Sequence, residues 1–334
     1  MFKGLLVEKH DQGEGEKPKF TATVQELTED QLPQGDVTLD VAYSSFNYKD
    51  GLVTLGLGGL TKDFPHVPGI DMAGTVTASD SDEFAVGDEV ILTGWRVGEI
   101  HWGGYAQRAR VQSDWLVKKP DGLSLQDAMA AGTAGFTAMQ GIVALEDHGL
   151  KPGGKPVLVL GATGGVGSVA CAILANLGYD VTAVTGKADQ TAYLKGLGVT
   201  EVLMRADHEV EKPRPLDRES YAGVIDAAGG HSLACALPKV AYGGSVAAIG
   251  LAAGNQLNTT VIPFLLRGVN ILGIDSVMAP KELRARVWAR LATDMPASHW
   301  ESIAEVVALD AVPGLAKDVL KGAVKGRKIV DPNA

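Results

Sequence analysis

The run Gly161-Ala162-Thr163-Gly164-Gly165-Val166-Gly167 carries the clearest chemistry in the chain. It follows an apolar stretch, Pro156–Leu160, and leads into helical spacing from Ser168. A glycine turn between strand and helix lets backbone N–H groups close on an anion where the helix dipole favours negative charge. In that order of elements the turn points to the pyrophosphate of a dinucleotide; the competing reading is a tight connection with no ligand. The tip of the next strand reads Thr185-Gly186-Lys187. A ribose 2′-hydroxyl is usually met there by an acid, but Asp180 only begins the strand and Asp189 lies beyond the tip. A lysine and a hydroxyl suit a 2′-phosphate better, and Arg205, past the third strand, offers a second cation. Both cations can equally be solvated surface charges; their placement at successive strand ends favours NADPH. A third group is Asn47-Tyr48-Lys49-Asp50, in a loop after a strand. The Tyr48 phenol can donate a proton or a hydrogen bond. Asn47 can help hold a site, and Asp50 can either orient these two or act as a local turn or cap.

These residues need a frame, and the hydrophobic pattern supplies one. Val37, Leu39, Val41 and Tyr43 alternate with polar residues, as a half-buried strand does. Further strands are expected over Asp71–Thr77, Glu89–Thr93 and Tyr105–Val111, punctuated by Gly and Pro, which suggests a small irregular barrel. Ser124, with Asp127 three residues on, is an N-cap candidate for a helix through Phe136, Met139 and Val143. Strands at Val157–Leu160, Asp180–Val184, Glu201–Met204, Val224–Ala227, Ser245–Ile249 and Ile271–Ile274 then alternate with helices. That alternation means an α/β fold with a parallel, doubly wound sheet. A helix over Pro280–Ala292 and a return segment ending Lys328-Ile329-Val330 close the chain.

The 334 residues suffice for two domains, and 46% hydrophobic with 21% charged residues describes a packed chain. A net charge of −10 argues against a broad nucleic-acid surface, which needs clustered cations. Cys171 and Cys235 sit in apolar, helix-like surroundings and read as core residues, leaving neither a disulfide framework nor a four-cysteine zinc site. The N-terminus is charged too soon for a signal peptide, and no apolar run approaches bilayer-crossing length. A cytoplasmic protein with no membrane partner is expected.

Asn47-Tyr48-Lys49-Asp50, Pro68-Gly69-Ile70-Asp71, Val86-Gly87-Asp88-Glu89-Val90, Gly103-Gly104-Tyr105-Ala106 and Gly161–Gly167 occur in the order seen in medium-chain dehydrogenase/reductases. Over the whole chain the sequence resembles that superfamily, and its longer strings resemble the bacterial acryloyl-CoA reductase group. Those strings are Ser44–Asp50, Leu92–Trp95 with His101–Gly104, Gly132–Met139 and Gly273–Met278. The resemblance implies a GroES-like catalytic domain from both chain ends, residues 1–123 and 297–334, around a Rossmann domain over 124–296. It also implies a homodimer formed through the edge strand Val269–Ile274. NADPH contacts implied by the likeness are Tyr48, Thr163, Gly164, Gly165, Val166, Thr185, Gly186, Lys187, Arg205, Leu251, Leu265, Ser276 and Arg327.

Zinc-dependent members of the superfamily carry Cys, His and Glu where this chain has Asn47, Ile70 and Asp71, so no metal is expected. Glu99 and His101 are only two ligands in a Gly- and Trp-rich loop, and read as structural. Without a Lewis acid to polarise a carbonyl, the expected reaction is reduction of a conjugated double bond. The leading substrate is the CoA thioester acryloyl-CoA, with Tyr48 and Asn47 as the catalytic candidates. The rivals are a quinone or enone reductase on the same scaffold, and a nicotinamide-binding sensor without turnover. Arg96, Arg108, Lys281 and Arg284 are available to CoA phosphates, but the sequence places none of them.

Overall fold

Two hydrophobic periodicities, one of alternating residues and one of helical spacing, divide the chain. The computed structural model describes residues 1–13, 15–324 and 326–334. It falls into two compact units: residues 1–133 with 277–288 and 300–334, and residues 134–276 with 289–299. In chain order the first elements are β1 (Phe2–His10), β2 (Lys19–Leu27), β3 (Val37–Phe46), α1 (Tyr48–Thr54), β4 (Asp71–Ser79), β5 (Glu89–Thr93), β6 (Arg108–Val111), β7 (Val117–Lys118) and α2 (Leu125–Asp147). Then come β8 (Val157–Leu160), α3 (Gly165–Asn176), β9 (Val181–Thr185), α4 (Thr191–Gly196), β10 (Glu201–Met204), α5 (Arg205–His208), β11 (Tyr221–Asp226), α6 (Gly230–Ala236), β12 (Val240–Ala248), α7 (Ile262–Arg267) and β13 (Asn270–Gly273). The last are α8 (Lys281–Asp294), α9 (Ala297–Ile303), β14 (Ala304–Ala308), α10 (Val312–Leu320) and β15 (Arg327–Asp331).

In the first unit the sheet order among the described residues is β14-β15-β3-β4-β5-β7, with β6 also paired to β3. The alternation of β3 works as expected: Val37, Leu39 and Val41 are buried, and the strand runs antiparallel to both β4 and β6. Register shifts at Thr38/Leu39 and Val41/Tyr43 make bulges, which bend a strand and raise its twist. One core gathers Phe2, Leu5, Leu27, Phe46, Tyr105 and Val330; a second gathers Leu39, Met72, Leu92 and Leu116. The expected strand Tyr105–Val111 is shorter, because Tyr105 and Ala106 turn into the first core and only Arg108–Val111 forms the strand. The hairpin of β1 and β2 carried no clear signal, since β2 is exposed or half-buried along most of its length and shows little alternation of burial.

In the second unit the described strands form a parallel sheet in the order β10-β9-β8-β11-β12-β13. Every residue of β8 is buried, as in a parallel strand covered on both faces. β11 and β12 begin earlier than their apolar runs, at Tyr221 and Val240. β13 lies at the edge of the sheet and is largely exposed.

Ser124 and Asp127 cap the start of α2 as expected: Asp127 N–H donates to Ser124 Oγ at 3.0 Å. The length of α2 corrects one expectation, for its 23 residues are long and apolar enough by composition to cross a bilayer. Of its most apolar window 89% is buried inside the protein, so packing explains the apolarity. Gly132, at φ 51° and ψ −157°, breaks the helix into two.

Candidate active site

In the first unit, the end of β3 and the start of β4 lie side by side and place Ser44 opposite Met72. Asn47 then caps α1, and Asp50, at the third helical position, reaches back to accept the Asn47 N–H at 2.8 Å. This is one half of a capping box. The other oxygen of Asp50 accepts the Gly69 and Ile70 N–H groups at 3.2 and 2.9 Å. Of the two roles the sequence allows for Asp50, the cap is therefore realised, and it also ties α1 to the turn before β4.

Asp71, buried at the head of β4, is the hub of this network. It accepts hydrogen bonds from Ser45 Oγ, from Asn47 Nδ2 at 2.9 Å, and from both the hydroxyl and the N–H of Thr133. Arg327, at the start of β15, is buried beside it. Its guanidinium donates to Ala130 O at 2.9 Å, Ser45 Oγ at 3.3 Å and Asn47 Oδ1 at 3.4 Å. A glycine is needed at 132, where a Cβ would lie 2.6 Å from Asp71 Oδ2 and 2.8 Å from Arg327 Nη2. Two buried carboxylates thus share one buried cation. Burial and the charge of Asp71 push Asp50 up to about 7. Burial, with Asp50 and Asp71 adding to it, pushes the Tyr105 phenol well up, and burial pulls Arg327 down.

The raised Asp50 carboxyl sets a pH dependence. Between the ordinary Asp value near 4 and about 7, the folded protein holds a proton that the unfolded chain has released. Its contribution to stability therefore declines as pH rises through that window and levels off above it. His66, buried and pulled down to about 4, has the opposite slope below about 6.5, so the wild-type curve mixes the two. Asp50→Asn isolates the group. Losing the acceptor for Asn47 lowers its stability, and the deficit from wild type is expected to shrink from pH 5 to about 7 and then level off in urea titrations. A pH-independent deficit would contradict the protonation.

This network gives Asn47 and Arg327 protein partners, and Asn47 helps to hold the loop as one of its two expected roles allows. The Asn47 amide donates to Ser45, Asp50 and Asp71 and accepts from Arg327. Arg327 is only 5% exposed, and its guanidinium bonds protein groups. Tyr48 begins α1 and is 57% exposed, open to a ligand. Glu99 pairs with Lys49 at 2.8 Å, and His101 bonds Arg110 O at 2.8 Å, so each is held by protein groups. Of the four cations considered for CoA, Arg284 is buried, bonding Thr93, Ala279 and Val277 carbonyls and stacking on Trp95. Arg108 pairs with Asp40 and Glu29, and Lys281 with Glu83 and Asp114. Among the described residues no three His, Cys, Asp or Glu side chains group as metal ligands.

In the second unit the glycine turn stands where the sequence put it. Gly164 is the N-cap of α3 and is exposed, with only Gly161 O near the position of a Cβ. Thr163 Oγ1 meets Thr185 Oγ1 at 3.2 Å, and Thr185 Oγ1 accepts the Lys187 N–H at 3.1 Å. A Cβ on Gly186 would lie 3.3 Å from the Arg205 guanidinium carbon, so the glycine leaves room for that cation over the strand tip. Gly165 and Val166 open α3, and Leu251 and Leu265 are exposed leucines at 68% and 75%. Ser276 is half-buried after β13. Asp226, unremarked in the sequence, accepts the Ala228 and Gly229 N–H groups at 3.0 and 2.8 Å, fixing the turn after β11. Asp71 and Asp226 shared one legible signal: a lone acid at the end of a buried apolar strand must find partners.

A GroES-like β unit and a parallel sheet with a dinucleotide turn at its first strand are the two parts of a medium-chain dehydrogenase/reductase. Residues 33–121 match the family Alcohol dehydrogenase GroES-like domain, and residues 165–293 the family Zinc-binding dehydrogenase. The chain is 54% identical, over all of both chains, to acrylyl-CoA reductase AcuI of Ruegeria pomeroyi. It superimposes on the crystal structure of Escherichia coli K-12 YhdH with bound NADPH with a TM-score of 0.92, at 48% identity over 99% of this chain and 100% of that one. Bacillus subtilis YhfP with NAD bound gives a TM-score of 0.94 at 43% identity, over 99% of each chain. The chain belongs to the AcuI/YhdH family of the medium-chain dehydrogenase/reductases.

Proposed function

We propose that this protein reduces the carbon–carbon double bond of acryloyl-CoA to give propionyl-CoA, using NADPH and no metal. The observation that carries the reading is full-length 54% identity to an acrylyl-CoA reductase, joined to the Gly186–Arg205 arrangement beside Lys187. Bound NADPH supplies a hydride to the β-carbon, and the α-carbon takes a proton. Thr163, Gly164, Gly165 and Val166 would hold the pyrophosphate through backbone N–H groups at the start of α3. Thr185, Gly186, Lys187 and Arg205 would take the 2′-phosphate, and the exposed Leu251 and Leu265, with Ser276, would line the cofactor. Tyr48 is the residue proposed to hydrogen-bond the nicotinamide or the substrate. Metal independence is supported by Asn47, Ile70 and Asp71 standing where the superfamily's zinc ligands fall, with the amide and the carboxylate both spent on protein partners.

A cytoplasmic homodimer completes the proposal. Its support is the exposed outer strand β13, an edge that favours pairing with a second copy, and two buried free cysteines. A second reading, a quinone reductase, is favoured by 44% identity to YhfP, whose name proposes a quinone oxidoreductase. NADPH consumption with acryloyl-CoA, longer enoyl-CoA esters and a simple quinone separates the two. The expected result is fast turnover on acryloyl-CoA, with propionyl-CoA as product; preference for the quinone would reverse the assignment. Tyr48→Phe is expected to lower kcat by about 100-fold, the low end of the range for a positioned proton donor.

A further inference from the structure

Tyr48 presents an exposed phenol for which no hydrogen bond is found among the described residues, so its place depends on the backbone of its own turn. That turn is the first of α1, and its cap is Asn47. A cap residue normally relies on its own helix. Here the Asn47 amide is gripped from outside the helix, by Asp71 at 2.9 Å and Ser45 at 3.1 Å as well as by Asp50 at 3.2 Å. Asp71 is in turn immobilised by the Ser45 hydroxyl and by both donors of Thr133, the N–H at 2.8 Å. A side chain locked by packing and by several hydrogen bonds is the kind of support that holds a reacting group in place.

We infer that Asp71 is a positioning residue for the reduction: through the amide of Asn47 it fixes the first turn of α1 and with it the direction of the Tyr48 phenol. This rests on the proposed role of Tyr48, and it goes beyond that role by naming the group that aims it. Of the other residues in this turn, Lys49 pairs with Glu99, and Asp50 both accepts from Asn47 and holds the turn before β4.

A double-mutant cycle tests the inference. Asp71→Asn keeps the size of the side chain but turns one acceptor oxygen into a donor facing other donors. It is expected to lower kcat by about 10-fold or more while the NADPH dissociation constant stays within about twofold, a split that general loosening would not produce. With Tyr48→Phe already in place, Asp71→Asn should cost less than about twofold further, because coupled residues are not additive. Asn47→Ala cuts the same link one step later and should show the same non-additivity, which keeps the test alive if Asp71→Asn fails to fold. Additive effects in either cycle, or an unchanged kcat in Asp71→Asn, would overturn the inference while leaving the role of Tyr48 intact. If Tyr48→Phe itself has wild-type kinetics, the role of Tyr48 fails, and the inference falls with it.

Discussion

Arg327→Met is expected to lower the stability of the protein by about 3–5 kcal/mol, the usual cost of removing one partner from a buried charged group. Methionine fills much of the arginine's volume, so the loss is electrostatic rather than a cavity. The guanidinium is the cation facing Asp50 and Asp71, and it also takes up the carbonyl of Ala130 just before the break in α2. Without it, two carboxylates stay buried with only neutral donors. Calorimetry should show a melting temperature roughly 10 °C lower. The sign with pH follows from Asp50. Its carboxyl, already raised by burial and by Asp71, loses the influence of the guanidinium and rises further. Protonation then relieves the variant, so its deficit should be smaller at pH 5 than at pH 8. An unchanged melting temperature would mean that the cation contributes nothing to the network.

The second large effect concerns cofactor choice. Replacing Lys187 and Arg205 together by alanine is expected to lower kcat/KM for NADPH by about 100-fold or more, while kcat/KM for NADH changes by less than about threefold. A charge-assisted hydrogen bond to phosphate contributes about 1.5–3 kcal/mol. Both side chains are exposed, which places each at the low end of that range. Two such losses still amount to about two powers of ten. The discrimination is specific because NADH lacks the phosphate that the two cations are proposed to meet. Steady-state kinetics with each nucleotide at fixed acryloyl-CoA measures it. Equal losses with the two nucleotides would place the cations away from the 2′-phosphate.

The glycine turn and the strand tip after it were legible because their construction is local. Strand β8, the glycine turn and helix α3 are contiguous, and Thr185, Gly186 and Lys187 follow at the end of the next strand. Backbone conformation and short-range order suffice to build such a turn, so the order of residues already describes it. Arg205 lies in the next βα step, and its approach to Gly186 could be expected from the repeat of strand ends in a parallel sheet. The first unit was harder to read. Strand β2 and helix α10 left weak or short signals, and the network at Asp71 joins residues up to 282 positions apart.

The sequence by itself thus determined a doubly wound parallel sheet with a glycine turn after its first strand, cations rather than an acid near the tip of its second, and a β-rich unit beside it. Only the tertiary structure decided that Asn47, Asp71, Thr133 and Arg327 join in one buried network. The physical reason is range. Hydrophobic periodicity and turn chemistry act over a few residues and leave their mark in the order of the chain. A buried charge must find its partner wherever the fold brings one, and nothing in the neighbouring sequence records which residue that will be.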